Sequence, residues 1–191
     1  MNHIGTVELK TPRLRLRKFV LDDAEAMYRN WASDPEVTKY LMWPTHANSD
    51  ISRMVIDSWV KEYDHSNYYQ WAIEFEGEPI GSITAVHVDE RAQKVEIGYC
   101  IGKPWWHKGI MSEALSALIR FFFEEVGVNR IQARHDISNP NSGGVMRKCG
   151  MIHEGTLRQA DLTNQGICDS CVYGILRSDY FGERPEVECN R

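Results

Sequence analysis

The clearest change of hydrophobic pattern in the chain lies between Lys94 and Arg120. Apolar residues alternate with polar or small ones from Val95 to Ile101, which is the period of a half-buried β-strand. Beyond Ser112 the apolar residues recur at the spacing of one helix face: Ala114, Leu115, Leu118, Ile119 and Phe122. Gly127 stands where a helix would take its C-cap. The stretch therefore predicts a strand, a short loop and a helix in succession.

The same two periods recur along the rest of the chain and divide it into further elements. The other predicted strands are residues 13–19, 69–75, 79–88, 130–135, 151–159 and 167–180. Residues 76–78 form the turn of a hairpin between the second and third predicted strands. The other predicted helices begin at Asp22–Asp23, at Ser49 or Asp50, and at Asn139.

The chain has the length and composition of one folded domain. Its 191 residues are 42% hydrophobic, which is enough to build a sizeable core. We expect the domain to occupy residues 1–181 and the charged segment 182–191 to be a frayed tail. The sequence contains no apolar run long enough to span a membrane and no apolar signal core. We therefore expect a cytoplasmic protein without a membrane partner.

Charge and cysteine content narrow the range of partners. The formal net charge of −5 disfavours a nucleic acid, because a basic face would be expected for that partner. Five cysteines without a secretory signal indicate reduced thiols rather than a disulfide framework. Cys168 and Cys171 form a CxxC, but residues three apart in a strand face opposite sides, and no second pair completes a zinc site. We predict no bound metal.

The loop from His107 to Met111 joins the predicted strand to the predicted helix. The first N–H groups of a helix have no internal partners, and the helix dipole places partial positive charge there. Gly109 lets the backbone approach a ligand closely, and Lys108 adds a formal charge. Two interpretations fit this pattern: a phosphate or pyrophosphate site after Trp106, and an ordinary strand-to-helix turn.

Two known phosphate loops do not fit the same residues. A Walker A loop ends in Gly-Lys-Ser/Thr, whereas the order from Lys108 is Lys-Gly-Ile. A dinucleotide fingerprint needs three spaced glycines, and only Gly109 is available. A nucleotide-triphosphate site is therefore a distant alternative.

Three blocks of sequence, taken together, point to a family. They read TPRLRLR from Thr11, EIGY from Glu96 followed by WWHKGIMSEA from Trp105, and NPNS from Asn139 followed by RKCGM from Arg147. In order and spacing, over about residues 8–180, they resemble the GNAT N-acetyltransferase superfamily. Within it, they are most similar to the branch of ribosomal-protein N-terminal (alanine/serine) acetyltransferases.

The chain departs from the family pattern at four positions. Trp106 and Met111 stand at the first and last positions of the family's Arg/Gln-x-x-Gly-x-Gly/Ala loop, and His107 stands where the branch usually has Gly. Met146 replaces a tyrosine that many members use as a proton donor. A side chain at residue 107 narrows the space near the phosphates. These departures leave open a second function, a CoA-binding or sensing module with weak or absent catalysis.

The resemblance implies a fold and a cosubstrate. The fold is of the α/β (α+β) class: a mixed, mostly antiparallel seven-stranded sheet, splayed between its fourth and fifth strands and flanked by about four helices. Acetyl-CoA would lie in the splay, its pantetheine bonded to the backbone of Tyr99, Cys100 and Ile101. The implied phosphate-loop residues are Trp106, His107, Lys108, Gly109, Ile110, Met111 and Ser112. Asn139 would bind the pantetheine amides, with Ser142 beside it.

The implied reaction moves an acetyl group from acetyl-CoA to a primary amine by direct attack in a ternary complex. Glu96 would point into the cleft and take the proton of the amine, directly or through a water. Ser142 or a water would protonate the leaving thiolate, and a backbone N–H in residues 99–101 would stabilise the oxyanion. His87 and His135 are further candidate bases, although a lone histidine at a strand end more often has no catalytic role.

The acceptor side is less defined by the sequence. Trp31, Tyr40 and Trp43 lie in the region that borders the acceptor site in the superfamily, and we expect them to line the acceptor pocket. Core aromatics are the other interpretation. Nothing in residues 31–65 distinguishes an N-terminal peptide from a small amine, or a monomer from a homodimer.

Overall fold

The computed structural model describes residues 1–182, whose centre is an eight-stranded sheet. The strands are β1 (Leu9–Lys10), β2 (Leu14–Arg17), β3 (Gln70–Phe75), β4 (Glu78–Asp89), β5 (Lys94–Ile101), β6 (Arg130–Asp136), β7 (Ile152–Thr163) and β8 (Gly166–Leu176). Their order across the sheet is β1-β2-β3-β4-β5-β6-β8-β7, with β5 and β6 parallel and the other neighbours antiparallel. Residues 183–191, nearly all of the predicted tail, lie outside the described residues.

Six α-helices of residues 1–182 accompany the sheet. They are α1 (Ala24–Met27), α2 (Pro35–Thr38), α3 (Ser49–Glu62), α4 (Ile110–Phe121), α5 (Pro140–Lys148) and α6 (Arg177–Phe181). A 3₁₀ turn, Leu21–Asp23, precedes α1, and π-helical turns at Tyr28–Ala32 and Phe122–Val126 extend α1 and α4. Another 3₁₀ turn, Lys103–Trp105, follows β5. Within this part of the chain no helix has the length and apolar character needed to cross a membrane.

Local sequence explains where several of these helices begin and end. Asn48 accepts a hydrogen bond from the Ile51 N–H at 3.2 Å and caps α3, one residue before the predicted start. Asp34 accepts from the Glu36 N–H at 2.8 Å and starts the short α2. Gly127 ends the extension of α4 with φ 76°, as the predicted C-cap requires.

The predicted fold class is confirmed, with changes in the number of elements. The sheet has eight strands rather than seven because Leu9–Lys10 pairs with residues 15–16. The helices α2 and α6 raise the helix number above the predicted four. The prediction of a strand through residue 180 is wrong at its end: Asp179 accepts the Leu176 N–H at 3.1 Å, which stops β8 and begins α6.

The two faces of the sheet pack against different helices. On one face, Val95 and Ile97 of β5 belong to the larger apolar core, together with Leu118 of α4. On the other face, a smaller core joins Phe19, Trp31 and residues of α3. The alternation predicted for β5 therefore places its apolar side chains under α4 and turns Glu96 to the opposite face.

The pairing between β5 and β6 is incomplete, and this positions the site. The parallel ladder extends from Lys94–Arg130 to Ile97–Ala133 and then stops. Residues 98–101 of β5 and 134–136 of β6 continue without pairing to each other. The predicted splay between the fourth and fifth predicted strands is therefore confirmed, and its open edge carries unpaired backbone groups.

Candidate active site

The start of α4 forms a loop with unpaired N–H groups. Gly109 is the N-cap residue, with φ 74°, and the first bond to its carbonyl comes from the Glu113 N–H at 3.1 Å. The N–H groups of residues 110–112 therefore have no acceptor within the helix and face out of its N-terminus. His107 also takes a left-handed conformation, φ 59°, and its side chain is exposed. The loop stays open at the position where the branch usually has Gly.

The side chains of the loop's unusual residues pack inward while the backbone remains available. Trp106 is half-buried against both apolar cores and donates from Nε1 to the Ile101 carbonyl at 2.8 Å. Ile110 and Met111 are buried under the sheet. The departures from the family pattern at residues 106 and 111 thus serve the core, and the loop's N–H groups are unaffected by them.

An arginine that the sequence did not single out for the site fixes this loop. Arg13 donates from Nη1 to the Lys108 carbonyl at 3.0 Å and pairs through Nε with Glu113 at 2.7 Å. Thr11 donates to the same carboxylate at 2.6 Å. Burial opposes the charge of Glu113, but the hydrogen bonds from Thr11 and Arg13 outweigh it and lower the pKa of that carboxyl. The geometry of the loop therefore depends on the residues just before β2 as well as on α4.

We expect Gly109→Ala to weaken both the fold and coenzyme binding. A Cβ at residue 109 would meet only Arg13 Nη2 at 3.6 Å, so the cost is the left-handed backbone rather than a clash. The left-handed conformation is strained for a residue with a Cβ, and this cost is partly offset because alanine loses less conformational entropy on folding than glycine does. The net loss is about 1 kcal/mol of unfolding free energy. A similar loss in binding would raise the Kd for CoA about fivefold. Chemical unfolding and calorimetric titration measure the two quantities.

His107→Gly is the matched control for this prediction, because it removes a side chain from a residue of the same backbone conformation. It should leave the Kd for CoA unchanged or lower it. A Kd for CoA that rises in His107→Gly but not in Gly109→Ala would show that the imidazole, and not the loop backbone, contacts the ligand.

Tyr99 and Ser142 meet across the opening of the splay, and Asn139 lies just before Ser142, whose N–H donates to its carbonyl at 3.2 Å. The Tyr99 hydroxyl donates to the Ser142 carbonyl at 3.0 Å and lies 3.0 Å from Ser142 Oγ. Burial raises the pKa of the Tyr99 hydroxyl, so it remains protonated at neutral pH. Asn139 precedes α5 but makes no side-chain cap, and its side-chain amide has no partner among residues 1–182. This amide is free to bind a ligand.

Glu96 lies beside the splay and is 8% exposed. Its Oε1 accepts from Arg134 Nε at 2.7 Å, and its Oε2 accepts from Gln132 Nε2 at 2.9 Å. Burial opposes the charge of Arg134, but the hydrogen bond to Glu96 outweighs it and raises the pKa of the guanidinium. The sequence placed Glu96 in the cleft but gave no signal for these two partners on β6.

The other two candidate bases differ from Glu96 in exposure and contacts. His87 is opposite Glu96 in the sheet and exposed. His135 donates from Nδ1 to the Asp136 carbonyl at 2.7 Å, and its buried Nε2 has no partner. Burial lowers the pKa of His135. A Cβ on Gly143 would lie 2.6 Å from this Nε2, so His135 packs against α5.

The CxxC thiols are separated by the sheet. Cys171 is buried beside Thr156, with Sγ 3.3 Å from the hydroxyl, while Cys168 pairs with Asp161 on the other face. Burial and the neighbouring Asp136 raise the pKa of Cys168 to about 11. No cluster of three or more His, Cys, Asp or Glu suited to a metal occurs in residues 1–182.

The aromatic residues predicted for the acceptor pocket differ in burial. Trp31 is fully buried in the smaller core, and its Nε1 has no hydrogen-bond partner. Tyr40 and Trp43 are half-buried in the segment between α2 and α3, and Trp43 packs against His46 with ring centroids 5.0 Å apart. Tyr40 and Trp43 are thus the two that retain surface for an acceptor.

The turn between β7 and β8 closes over this segment through one side chain. Asn164 Nδ2 donates to the carbonyls of Thr38 at 2.7 Å and Trp43 at 2.9 Å. The Asn164 N–H donates to the Leu41 carbonyl at 2.8 Å. We call these three bonds the Asn164 clasp. The sequence showed no sign of it, because the partners are backbone groups more than 120 residues away.

Comparison with known proteins agrees with this geometry. The model of the acetyltransferase (GNAT) domain matches residues 13–152. The uncharacterized N-acetyltransferase p20 of Bacillus licheniformis is 31% identical over 178 residues, which are 91% of this chain and 98% of that protein. The ribosomal-protein-serine acetyltransferase of Escherichia coli K12 is 29% identical over 137 residues, 71% of this chain and 76% of that protein.

A solved structure shows the same fold. The microcin C7 self-immunity acetyltransferase MccE, in complex with acetyl-CoA and AMP, superposes with a TM-score of 0.78. Its sequence is 22% identical, and the match covers 87% of this chain and 93% of that one. With the family model covering most of the domain and the splayed sheet leading into an open helix N-terminus, the chain belongs to the GNAT acetyltransferase family.

Proposed function

We propose that the protein is an acetyl-CoA-dependent N-acetyltransferase that acts on a primary amine. The observation that carries the proposal is the splay itself, which joins a buried carboxylate, Glu96, to the open N-terminus of α4. Membership of the acetyltransferase family agrees with this arrangement. We infer the amine acceptor and the roles of the residues that act on it from the site.

The residues present fit coenzyme A. The N–H groups of residues 107–112 and the charge of Lys108 would hold the diphosphate. The edge of β5 at Tyr99, Cys100 and Ile101, which has no partner strand on the β6 side, would bond the pantetheine, except at the Ile101 carbonyl, which already accepts from Trp106. The free Asn139 amide would bind one of the pantetheine peptide groups. When bound, acetyl-CoA supplies the acetyl group as a thioester.

Glu96 would serve as the general base of the reaction. The acceptor amine gives one proton to Glu96, directly or through a water, and its nitrogen forms a bond to the acetyl carbon. The C–S bond breaks with its electron pair on sulfur, and the thiolate takes a proton from Ser142 or a water. The Tyr99 hydroxyl, 3.0 Å from Ser142 Oγ, would orient that donor. An N–H of residues 99–101 would stabilise the oxyanion.

The names of the relatives favour a protein N-terminus over a small amine. The Escherichia coli relative that covers 71% of this chain is a ribosomal-protein-serine acetyltransferase. We place N-terminal peptides first, with Tyr40 and Trp43 lining the pocket and Trp31 supporting it from the core. Small amines such as polyamines or aminoglycosides are the second class.

The alternative is a coenzyme-binding module with little or no catalysis. A thiol-release assay with acetyl-CoA, run over a panel of N-terminal peptides and small amines, distinguishes the two. Turnover with one acceptor class supports the proposal. Thermal stabilisation by CoA without turnover on any amine supports the binding module, and stabilisation by ATP but not CoA would contradict both.

A further inference from the structure

Arg134 lies between two carboxylates on the face of the sheet that Glu96 occupies. Its Nε is 2.7 Å from Glu96 Oε1, and its Nη1 is 3.6 Å from Asp161 Oδ2. Arg134 is a residue of β6 beyond the last pair with β5, and Asp161 belongs to the edge strand β7. One guanidinium therefore bridges the unpaired end of the splay to the far edge of the sheet.

The hydrogen bonds that Glu96 already makes oppose its role as a general base. Both oxygens are hydrogen-bonded, one by Arg134 and the other by Gln132. A carboxylate that keeps a cationic partner is a poorer proton acceptor than one that has lost it. The acceptor amine must reach one of these oxygens. Of the two partners of Glu96, Arg134 is the one that has a second carboxylate within reach.

Asp161 is the second carboxylate that can pair with Arg134. Its Oδ2 accepts from the buried Ser170 hydroxyl at 3.2 Å, which holds the carboxylate on the Arg134 side. The side chain of Asp161 is 28% exposed, so water does not fully solvate its carboxylate. The strand β7 changes register between Leu157 and Asp161, and this irregularity brings Asp161 opposite Cys168.

We propose that Arg134 is a positioning residue that transfers from Glu96 to Asp161 when a cationic acceptor enters, which frees Glu96 to act as the base. The inference rests on the proposed function. An alkylammonium carries the same charge as the guanidinium, so the exchange leaves no carboxylate unpaired. An N–H bond of the ammonium then breaks, an O–H bond forms at Glu96 Oε1, and the neutral amine attacks.

Other charged groups lie on the same face of the sheet as Glu96 and Arg134. They are Lys94 of β5, His87 and Asp89 of β4, Arg130 and Asp136 of β6, and Glu154 of β7. His87 is exposed opposite Glu96, and Arg130 is paired with Glu154. Among residues 1–182, only Arg134 forms ion pairs with both Glu96 and Asp161.

A double-mutant cycle tests the transfer. We expect Asp161→Asn alone to lower kcat/KM for the amine about tenfold, because Arg134 then stays on Glu96. In the Arg134→Gln background the same change should cost less than about twofold, since no guanidinium remains to be displaced. Arg134→Gln should also move the acidic limb of the pH–kcat/KM profile to higher pH. CoA binding and thermal unfolding check that each variant is folded.

The ion pair of Arg15 with Glu8 supplies the control cycle, since it joins β2 to the residue before β1 and is partly exposed. If Asp161→Asn costs the same in both Arg134 backgrounds, the transfer is wrong even though the enzyme works. If the wild-type protein acetylates no amine of the panel, the proposed function fails and this inference fails with it. An unchanged pH profile in Arg134→Gln would also contradict the role of Arg134.

Discussion

Glu96→Gln should lower kcat for acetyl transfer about a hundredfold or more while leaving the Kd for CoA unchanged within about twofold. A positioned general base contributes roughly 10²–10⁴ to the rate, and an amide of the same shape cannot take the proton. The proposed coenzyme site consists of the α4 loop and the open edge of β5, and the two hydrogen-bond partners of the Glu96 carboxylate, Gln132 and Arg134, belong to neither. Thiol release and calorimetric titration on the same samples measure the two quantities.

Two features of this experiment guard against a misleading result. Glu125→Gln makes the same chemical change at an exposed position after α4 and should leave both quantities at their wild-type values. Glu96→Gln also removes one of the two carboxylates that pair with Arg134, so unfolding must be measured for each variant. A folded Glu96→Gln protein with full turnover would remove Glu96 from the mechanism, whatever its position in the cleft.

Arg17→Gln should destabilise the fold by about 3 kcal/mol. The side chain of Arg17 is 15% exposed and donates to both oxygens of Asp23 at 2.7 and 2.8 Å. It also pairs with Glu74, so its removal leaves the buried Asp23 carboxylate without a cation and Glu74 with only its longer contact to Arg15, at 3.5 Å. Asp23 in turn accepts the Val20 N–H at 2.9 Å and orders the start of α1. The loss corresponds to a fall in Tm of roughly 6–12 °C.

Arg15→Gln is the matched control, two residues earlier on the same strand and face. Arg15 pairs with Glu8 and Glu74 at a largely exposed position, where ion pairs contribute little to stability. We expect its unfolding midpoint in urea to be indistinguishable from wild type. Equal effects of the two variants would show that the buried network around Arg17 adds nothing beyond a surface pair.

The comparison of these arginines shows what local pattern does and does not reveal. The alternation of residues 13–19 predicted a strand, and β2 occupies Leu14–Arg17. The same alternation suggests one solvated basic face, yet the structure gives its members different roles. Arg13 fixes the α4 loop, Arg15 lies near the surface, and Arg17 is buried in an ion network. Periodicity assigns a face, whereas burial depends on partners distant in sequence.

The residues of the candidate site also divide into those that local pattern predicts and those that depend on contacts distant in sequence. The loop, the splay and Glu96 follow from consecutive residues and from the resemblance, so the sequence could place them. Gln132 and Arg134 could not be found in that way, because the run RIQARH reads only as a strand. Their contact with Glu96 exists because β5 and β6, joined through α4, become parallel neighbours.

The acceptor side was the least predictable for a related reason. The segment that holds Tyr40 and Trp43 has no regular period, and its shape is fixed by backbone carbonyls that any sequence would carry. The partner, Asn164, lies in a hairpin turn where asparagine is common for local reasons. A tertiary bond between a turn residue and main-chain oxygens leaves no periodic trace in either segment.

The Asn164 clasp also has a consequence for how acceptor preference can change. Opening the 38–43 segment breaks three hydrogen bonds at once, and the β7–β8 turn must give way with it. The 38–43 segment and the β7–β8 turn are therefore coupled. Displacing the segment alone would leave the Asn164 amide and the carbonyls of Thr38 and Trp43 without these bonds, so a bulkier acceptor in the proposed pocket calls for substitutions in both stretches of the chain.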